Sequence, residues 1–279
     1  MTTRAYTTLI SVEDLSSITG ESNLVILDCS YTLSDSGKGR RDYMQAHIPG
    51  AFFMDMEQEL SSPVIKGVTG RHPLPHPEVL ASTLSAAGLK KDSQVIVYDQ
   101  SNGMAASRGW WLLNWLGHPH VAVLDGGFSA WKSSGLPVDN QWPVSKKGEF
   151  KIQLRPELTA SMRQVASGED TIIDSRDYKR FTGETEPIDP IAGHIPGATC
   201  IPFMDNTDEN GLWKSKEYLR NKFSAIATDN HKPPVFYCGS GVSACHNILA
   251  YKLATGHDAR LYPGSWSEWI NYYPAVTGE

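Results

Sequence analysis

Pro233-Pro234-Val235-Phe236-Tyr237-Cys238-Gly239-Ser240-Gly241-Val242-Ser243-Ala244 reads as three pieces in succession: a short apolar strand entered after prolines, a glycine-rich loop, and the start of a helix. Apolar residues continue at helical spacing through Ile248, Leu249, Tyr251 and Leu253, which predicts a helix over Ala244 to Ala254. A buried strand running straight into a helix is the building unit of a mostly parallel α/β sheet. The residue at the turn is a cysteine. Gly239 and Gly241 are expected to adopt positive φ and turn successive N–H groups inward, and the helix N-terminus adds partial positive charge at the same point; both favour a thiolate nucleophile. Most lone cysteines are buried structural thiols, but two glycines so close behind Cys238 favour the reactive reading.

The loop composition narrows the chemistry. A cysteine phosphatase or an arsenate-reductase-like enzyme needs an arginine six residues after the cysteine to clamp the phosphoryl oxygens, and that position is Ala244. Backbone N–H groups, Ser240 and Ser243 are all that Cys238 to Ala244 offers an anion, which disfavours phosphoryl transfer. Cys238, Cys245 and His246 lack the close pairing of a structural zinc site, so no metal is expected and Cys245 reads as a helix thiol. A nucleophile that takes a small group, holds it covalently and passes it on fits what remains.

Working outward, the chain contains the same unit twice. Ala46-His47-Ile48-Pro49-Gly50-Ala51 recurs as Gly193-His194-Ile195-Pro196-Gly197-Ala198, with Leu24-Val25-Ile26-Leu27-Asp28 matching Thr171-Ile172-Ile173-Asp174. Gln94 to Asp99 matches Pro234 to Cys238, and Asp125-Gly126-Gly127-Phe128-Ser129-Ala130-Trp131 matches Pro263-Gly264-Ser265-Trp266-Ser267-Glu268-Trp269. Two tandem α/β domains are expected, at 1–140 and 158–279, joined by a polar, proline-punctuated linker at 141–157. In the first domain Asp99 holds the cysteine position, and a carboxylate is no thiolate nucleophile, so this domain is predicted inactive. His47, His194 and Arg108 are read as structural, and Trp110, Trp111 and Trp115, at helical spacing, as core.

The run Cys238-Gly239-Ser240-Gly241-Val242-Ser243-Ala244 resembles the active-site loop of the rhodanese-like sulfurtransferases, and most closely the form typical of the 3-mercaptopyruvate branch. The resemblance implies two tandem rhodanese-like domains with one working cysteine in the C-terminal domain, which carries the transferred sulfur as a persulfide. It implies catalytic roles for Cys238, Ser240 and His72, the last within Gly70-Arg71-His72-Pro73-Leu74-Pro75, and a weaker carry-over to Glu57 as the residue orienting the histidine. Loop residues Gly239, Gly241, Val242 and Ser243 would hold the donor with Arg180, which resembles the first of two arginines that bind the substrate carboxylate in this branch. The second lies in a Pro-Glu-Pro-Arg segment, which here reads Glu186-Pro187-Ile188-Asp189-Pro190 and has no arginine. Arg71 is the candidate replacement. Thiosulfate is the alternative donor, and a non-catalytic module on two such folds is the distant one.

Bulk properties exclude more than they assign. With 279 residues and a formal charge of −6, the chain is long enough for two cores and lacks the basic surplus of a nucleic-acid partner; Lys146-Lys147 is a short solvated pair. No apolar run approaches the ~20 residues of a membrane span and no signal peptide is read at the N-terminus. Four cysteines do not make a disulfide framework, so a reducing, cytoplasmic setting is expected. The expected partners are a small anionic sulfur donor and a thiol, cyanide or thioredoxin-like acceptor, with no cofactor, nucleic acid or membrane.

Overall fold

A computed structural model describes residues 5–100, 102–144, 147–226 and 232–278. Ser101 of the first-repeat loop and Lys146 of the lysine pair lie outside them, as do the first four residues of the N-terminal stretch. The chain divides into two compact units. The first comprises residues 1–62, 75–155 and 207–213, and the second 63–74, 156–206 and 214–279.

The first unit holds a parallel sheet of β1 (Leu9–Ile10), β2 (Leu24–Asp28), β3 (Phe52–Phe53), β4 (Gln94–Tyr98) and β5 (Val121–Leu124) in the order β1-β5-β4-β2-β3. All of β4 and β5 is buried, which is why these strands read as continuous apolar runs rather than alternating ones: helices cover both faces of a parallel sheet. The second unit holds β6 (Ile172–Asp174), β7 (Thr199–Cys200), β8 (Val235–Tyr237) and β9 (Arg260–Leu261), again all parallel, in the order β7-β6-β8-β9. Replacing each strand by its repeat partner turns this into β3-β2-β4-β5. The sequence repeat is therefore a topological repeat, and an α/β fold of two sheets flanked by helices is what the chain adopts.

The His-Ile-Pro-Gly elements owe their recurrence to one shared arrangement. Ile48 N–H donates to the Tyr98 hydroxyl at 3.2 Å, and Ile195 N–H donates to the Tyr237 hydroxyl at 3.1 Å. His47 stacks on Tyr43 with centroids 3.9 Å apart, and His194 stacks on Phe181 at 3.7 Å. Both rings are buried and hydrogen-bond through Nδ1 to a backbone carbonyl, of Tyr43 and Phe181 respectively. Each core closes on a tryptophan pinned the same way: Trp131 Nε1 donates to the Pro137 carbonyl and Trp269 Nε1 to the Pro274 carbonyl. Arg108 is fully buried with Nη2 on the Leu60 carbonyl, and Trp110, Trp111 and Trp115 are buried.

Segment 63–74, which the sequence reading placed within 1–140, packs with the second unit. Arg71 N–H donates to Ser267 Oγ at 3.1 Å, and the Tyr272 hydroxyl donates to the Val68 carbonyl at 3.1 Å. Gly70 makes the approach feasible, because a β-carbon there would stand 2.4 Å from the Gly264 carbonyl oxygen. Arg71 and His72 thereby join the unit that carries Cys238.

Candidate active site

Cys238 follows β8 directly and is 1% exposed. Its Sγ accepts the Gly241 N–H at 3.1 Å, and the helix Ser243–Thr255 opens immediately after the loop. Gly241 sits at φ 79°, and a β-carbon on it would meet the Pro263 carbonyl at 2.5 Å, so both conformation and space require glycine. Gly239 is different from expectation: its φ is not positive. A β-carbon there would come within 2.7 Å of Arg71 Nη2 and 3.6 Å of Arg180 Nη2, so a larger side chain would displace the tips of these two arginines. Val242 is buried at the N-cap, Ser243 begins the helix half-buried, and Cys245 Sγ donates to the Gly241 carbonyl at 3.3 Å, bracing the loop from the helix side.

The turn at Pro263 to Trp269 clamps the loop from the other side. Trp266 N–H donates to the Cys238 carbonyl at 2.9 Å, Ser267 N–H to the Gly239 carbonyl at 3.0 Å, and Cys238 N–H to Ser265 Oγ at 3.2 Å. The matching pair in the first unit is Phe128 N–H to the Asp99 carbonyl and Ser129 N–H to the Gln100 carbonyl. The backbone scaffold is thus duplicated while the cysteine is not.

Ser240 Oγ and His72 Nδ1 share a hydrogen bond of 2.8 Å, and both residues are buried. Arg71 and Arg180 converge beside Gly239. Their side chains are 28% and 15% exposed, more open than the buried Cys238. The sequence reading named Ser240, His72, Arg71 and Arg180 but overlooked the counter-ions of the two arginines. Glu186 accepts from Arg180 Nε at 3.1 Å and Nη2 at 2.8 Å; Asp189 accepts from Arg180 Nη2 at 3.1 Å through Oδ2 and pairs with Arg71 Nη1 through Oδ1. Arg176, also overlooked, forks onto Asp174 and reaches Glu186 at 3.3 Å while lying 4.7 Å from the Trp266 ring. The available signal was three acidic residues, Glu184, Glu186 and Asp189, in the short loop after Arg180. Glu57 belongs to the first unit, where it accepts from the Tyr31 hydroxyl at 3.3 Å.

The carboxylates of this cluster respond differently. Burial works to raise the pKa of Glu186, but hydrogen bonds from Arg180 and from the Asp189 and Ile188 N–H groups outweigh it and hold the carboxyl below its ordinary value. Burial raises Asp189, the pull of Arg71 and Arg180 only partly offsets it, and the neighbouring Glu186 charge adds to the rise. Arg176 is held above the ordinary guanidinium value: burial favours its neutral form, and the Asp174 charge and hydrogen bonds more than compensate.

The first-unit counterpart shows what the cradle is built to hold. Asp99 Oδ1 accepts the Gly103 N–H at 3.0 Å, and Oδ2 accepts the Ala105 and Ala106 N–H groups at 2.9 and 3.1 Å, at the start of the helix Met104–Trp115. Gly103, at φ 78°, matches Gly241. An oxyanion of the chain itself fills the nest in one unit and a sulfur occupies it in the other. Among the described residues no group of metal-ligating side chains is assembled, and no helix is long and apolar enough to cross a membrane.

The model of the rhodanese-like domain matches this chain at residues 11–134 and again at 158–272. The chain belongs to the rhodanese-like family. A relative from Pseudomonas aeruginosa named as a probable 3-mercaptopyruvate sulfurtransferase is 47% identical, over 97% of this chain and 98% of its own. A putative thiosulfate sulfurtransferase, SseB, from Mycobacterium tuberculosis is 38% identical over 88% of this chain and 87% of its own. Among solved structures, the 3-mercaptopyruvate sulfotransferase SseA from Escherichia coli superposes with a TM-score of 0.80 at 32% identity, covering 94% of this chain and all of the other. Both repeats of the rhodanese-like fold are present, and the cysteine of the second stands on the loop that the family resemblance singled out.

Proposed function

We propose that this rhodanese-like protein is a sulfurtransferase that takes a sulfur atom from 3-mercaptopyruvate onto Cys238 and passes it to a thiophilic acceptor. One observation carries the reading: a cysteine sulfur accepts a loop N–H at the head of a helix, in a loop without an arginine, with two guanidinium groups beside the next residue. The Cys238 thiolate attacks the donor sulfur and forms an S–S bond. The C–S bond breaks, its electron pair stays on carbon as the enolate, and the proton of the donor thiol ends on that carbon to give pyruvate. Cysteine sulfur is oxidised to the persulfide level and carbon is reduced, so no external oxidant is required. The Ser240–His72 pair stands ready to hydrogen-bond the donor carbonyl as enolate charge develops, Arg71 and Arg180 are placed to receive its carboxylate, and Gly239, Gly241, Val242 and Ser243 frame the persulfide. The terminal persulfide sulfur then leaves with cyanide, a small thiol or a thioredoxin-like dithiol, restoring the thiolate. A reducing cytoplasm suits such acceptors and the four free cysteines.

Thiosulfate is the second reading, supported by the name of the mycobacterial relative and by the capacity of the same arginines to receive a sulfonate. Sulfite would then be the leaving group. Initial rates with each donor, cyanide as acceptor and Cys238→Ser as the blank test both. Turnover is expected to vanish in Cys238→Ser with an unchanged melting temperature; turnover surviving that substitution overturns the mechanism, and inactivity of the native protein toward both donors overturns the function.

A further inference from the structure

The two arginines beside the nucleophile are already occupied. Asp189 reaches Arg71 with one carboxylate oxygen and Arg180 with the other, the arrangement in which a bridging anionic ligand is held. Its side chain is 2% exposed, deeper than either arginine. Glu186 takes the remaining face of Arg180, so the charges of Arg71 and Arg180 are cancelled by Glu186 and Asp189, while Arg176 is committed to Asp174 and Glu186. Arg71 Nε is buried and has no acceptor among the described residues, leaving a donor that no described group uses. Both guanidinium groups nonetheless lie against Gly239, one residue from Cys238.

We propose that Asp189 is a donor-selecting residue: its carboxylate holds the place between Arg71 and Arg180 that a donor's anionic group must take, so it disfavours anionic donors in proportion to their charge. The inference rests on the sulfurtransferase reading only for the word donor; its physical content is competition between anions. Glu186 stays below its ordinary carboxyl range and remains a fixed counter-charge, whereas Asp189 is the carboxylate whose ionisation its surroundings oppose, and so the one more readily displaced. The Coulomb energy of a bound anion with Asp189 scales with the charge of that anion. Removing one unit of negative charge therefore helps a dianion about twice as much, on a logarithmic scale, as a monoanion. With Asp189 ionised the site favours the monoanionic mercaptopyruvate over the dianionic thiosulfate.

The test is an equilibrium measurement in a background that does not turn over. Dissociation constants for pyruvate, a monoanion, and thiosulfate, a dianion, are measured by titration calorimetry on the full-length Cys238→Ser protein with and without Asp189→Asn. Asparagine keeps the shape of the side chain and removes the charge. The expected result is pyruvate binding tightened by about tenfold and thiosulfate binding by roughly the square of that factor. Binding weakened or unchanged by Asp189→Asn would make Asp189 a clamp that orients the arginines and overturn the proposal, as would equal gains for both anions. Asp189→Ser, also uncharged, repeats the comparison should the asparagine variant fold poorly. Because no turnover is measured, failure here leaves the sulfurtransferase reading standing, and failure of that reading leaves this result interpretable.

Discussion

Ser265 is the one described residue other than glycine with positive φ, at 54°, and it is fully buried. Its repeat partner is Gly127, at φ 58°. The first unit uses the residue that adopts this conformation without strain; the second unit places a serine there, whose Oγ accepts the Cys238 N–H and donates to the Tyr262 carbonyl at 3.0 Å. A left-handed non-glycine residue costs on the order of 1 kcal/mol, and the hydroxyl returns a similar amount by satisfying a buried N–H at the nucleophile. Ser265→Ala keeps the strain and orphans that N–H, so urea unfolding should show a loss of about 2 kcal/mol, with slower sulfur transfer. Ser265→Gly removes hydroxyl and strain together and should cost less stability than Ser265→Ala. A more stable alanine variant would show that the hydroxyl does not support the loop.

At the scale of elements, the same strand, loop and helix hold different anions in the two units. A carboxylate at a helix N-terminus with three N–H donors is a self-contained cap, and it explains how the same loop shape persists in the unit that has Asp99 where the other has a cysteine. Asp99→Ala would leave those donors without their acceptor in a buried turn. A loss of about 2 kcal/mol in first-unit stability is expected by denaturant titration, with Cys238-dependent turnover per folded molecule retained. Stability equal to that of the native protein would show that the nest does not need an anion.

Across the whole molecule, the repeat-related strands β2 and β6 end on the same residue type but give it different partners. Asp28 ends β2 and Asp174 ends β6, and each accepts the N–H two residues on through Oδ1. Asp174 also receives the Arg176 guanidinium, whereas the residue two after Asp28 is Ser30. Burial accordingly raises Asp28 to about 6. A carboxyl whose folded pKa lies above its unfolded value stabilises the fold most when protonated, so this contribution is complete below about pH 4 and is lost as pH rises through about 6. Asp28→Asn should flatten that dependence: relative to the native protein, the variant gains about 2 kcal/mol between pH 4 and pH 7 by urea unfolding. A constant difference across that range would place the ionisation of Asp28 elsewhere.

The repeat, the α/β class, the strand preceding Cys238 and the helix after it were legible in the sequence, because they depend on local patterns: buried apolar runs, turn glycines, and a six-residue motif occurring twice. Legible too was the absence of an arginine from the loop, which is a property of consecutive residues. What only the tertiary structure decided is how distant charges pair. Arg71 reaches Asp189 across more than a hundred positions, His72 reaches Ser240 across more still, and segment 63–74 joins the second unit because Gly70 lets two backbones touch. Residue identity shows that a charge exists, but its partner is set by which loops the sheets bring together. The carboxylates that neutralise the arginines therefore became visible only when the chain was folded.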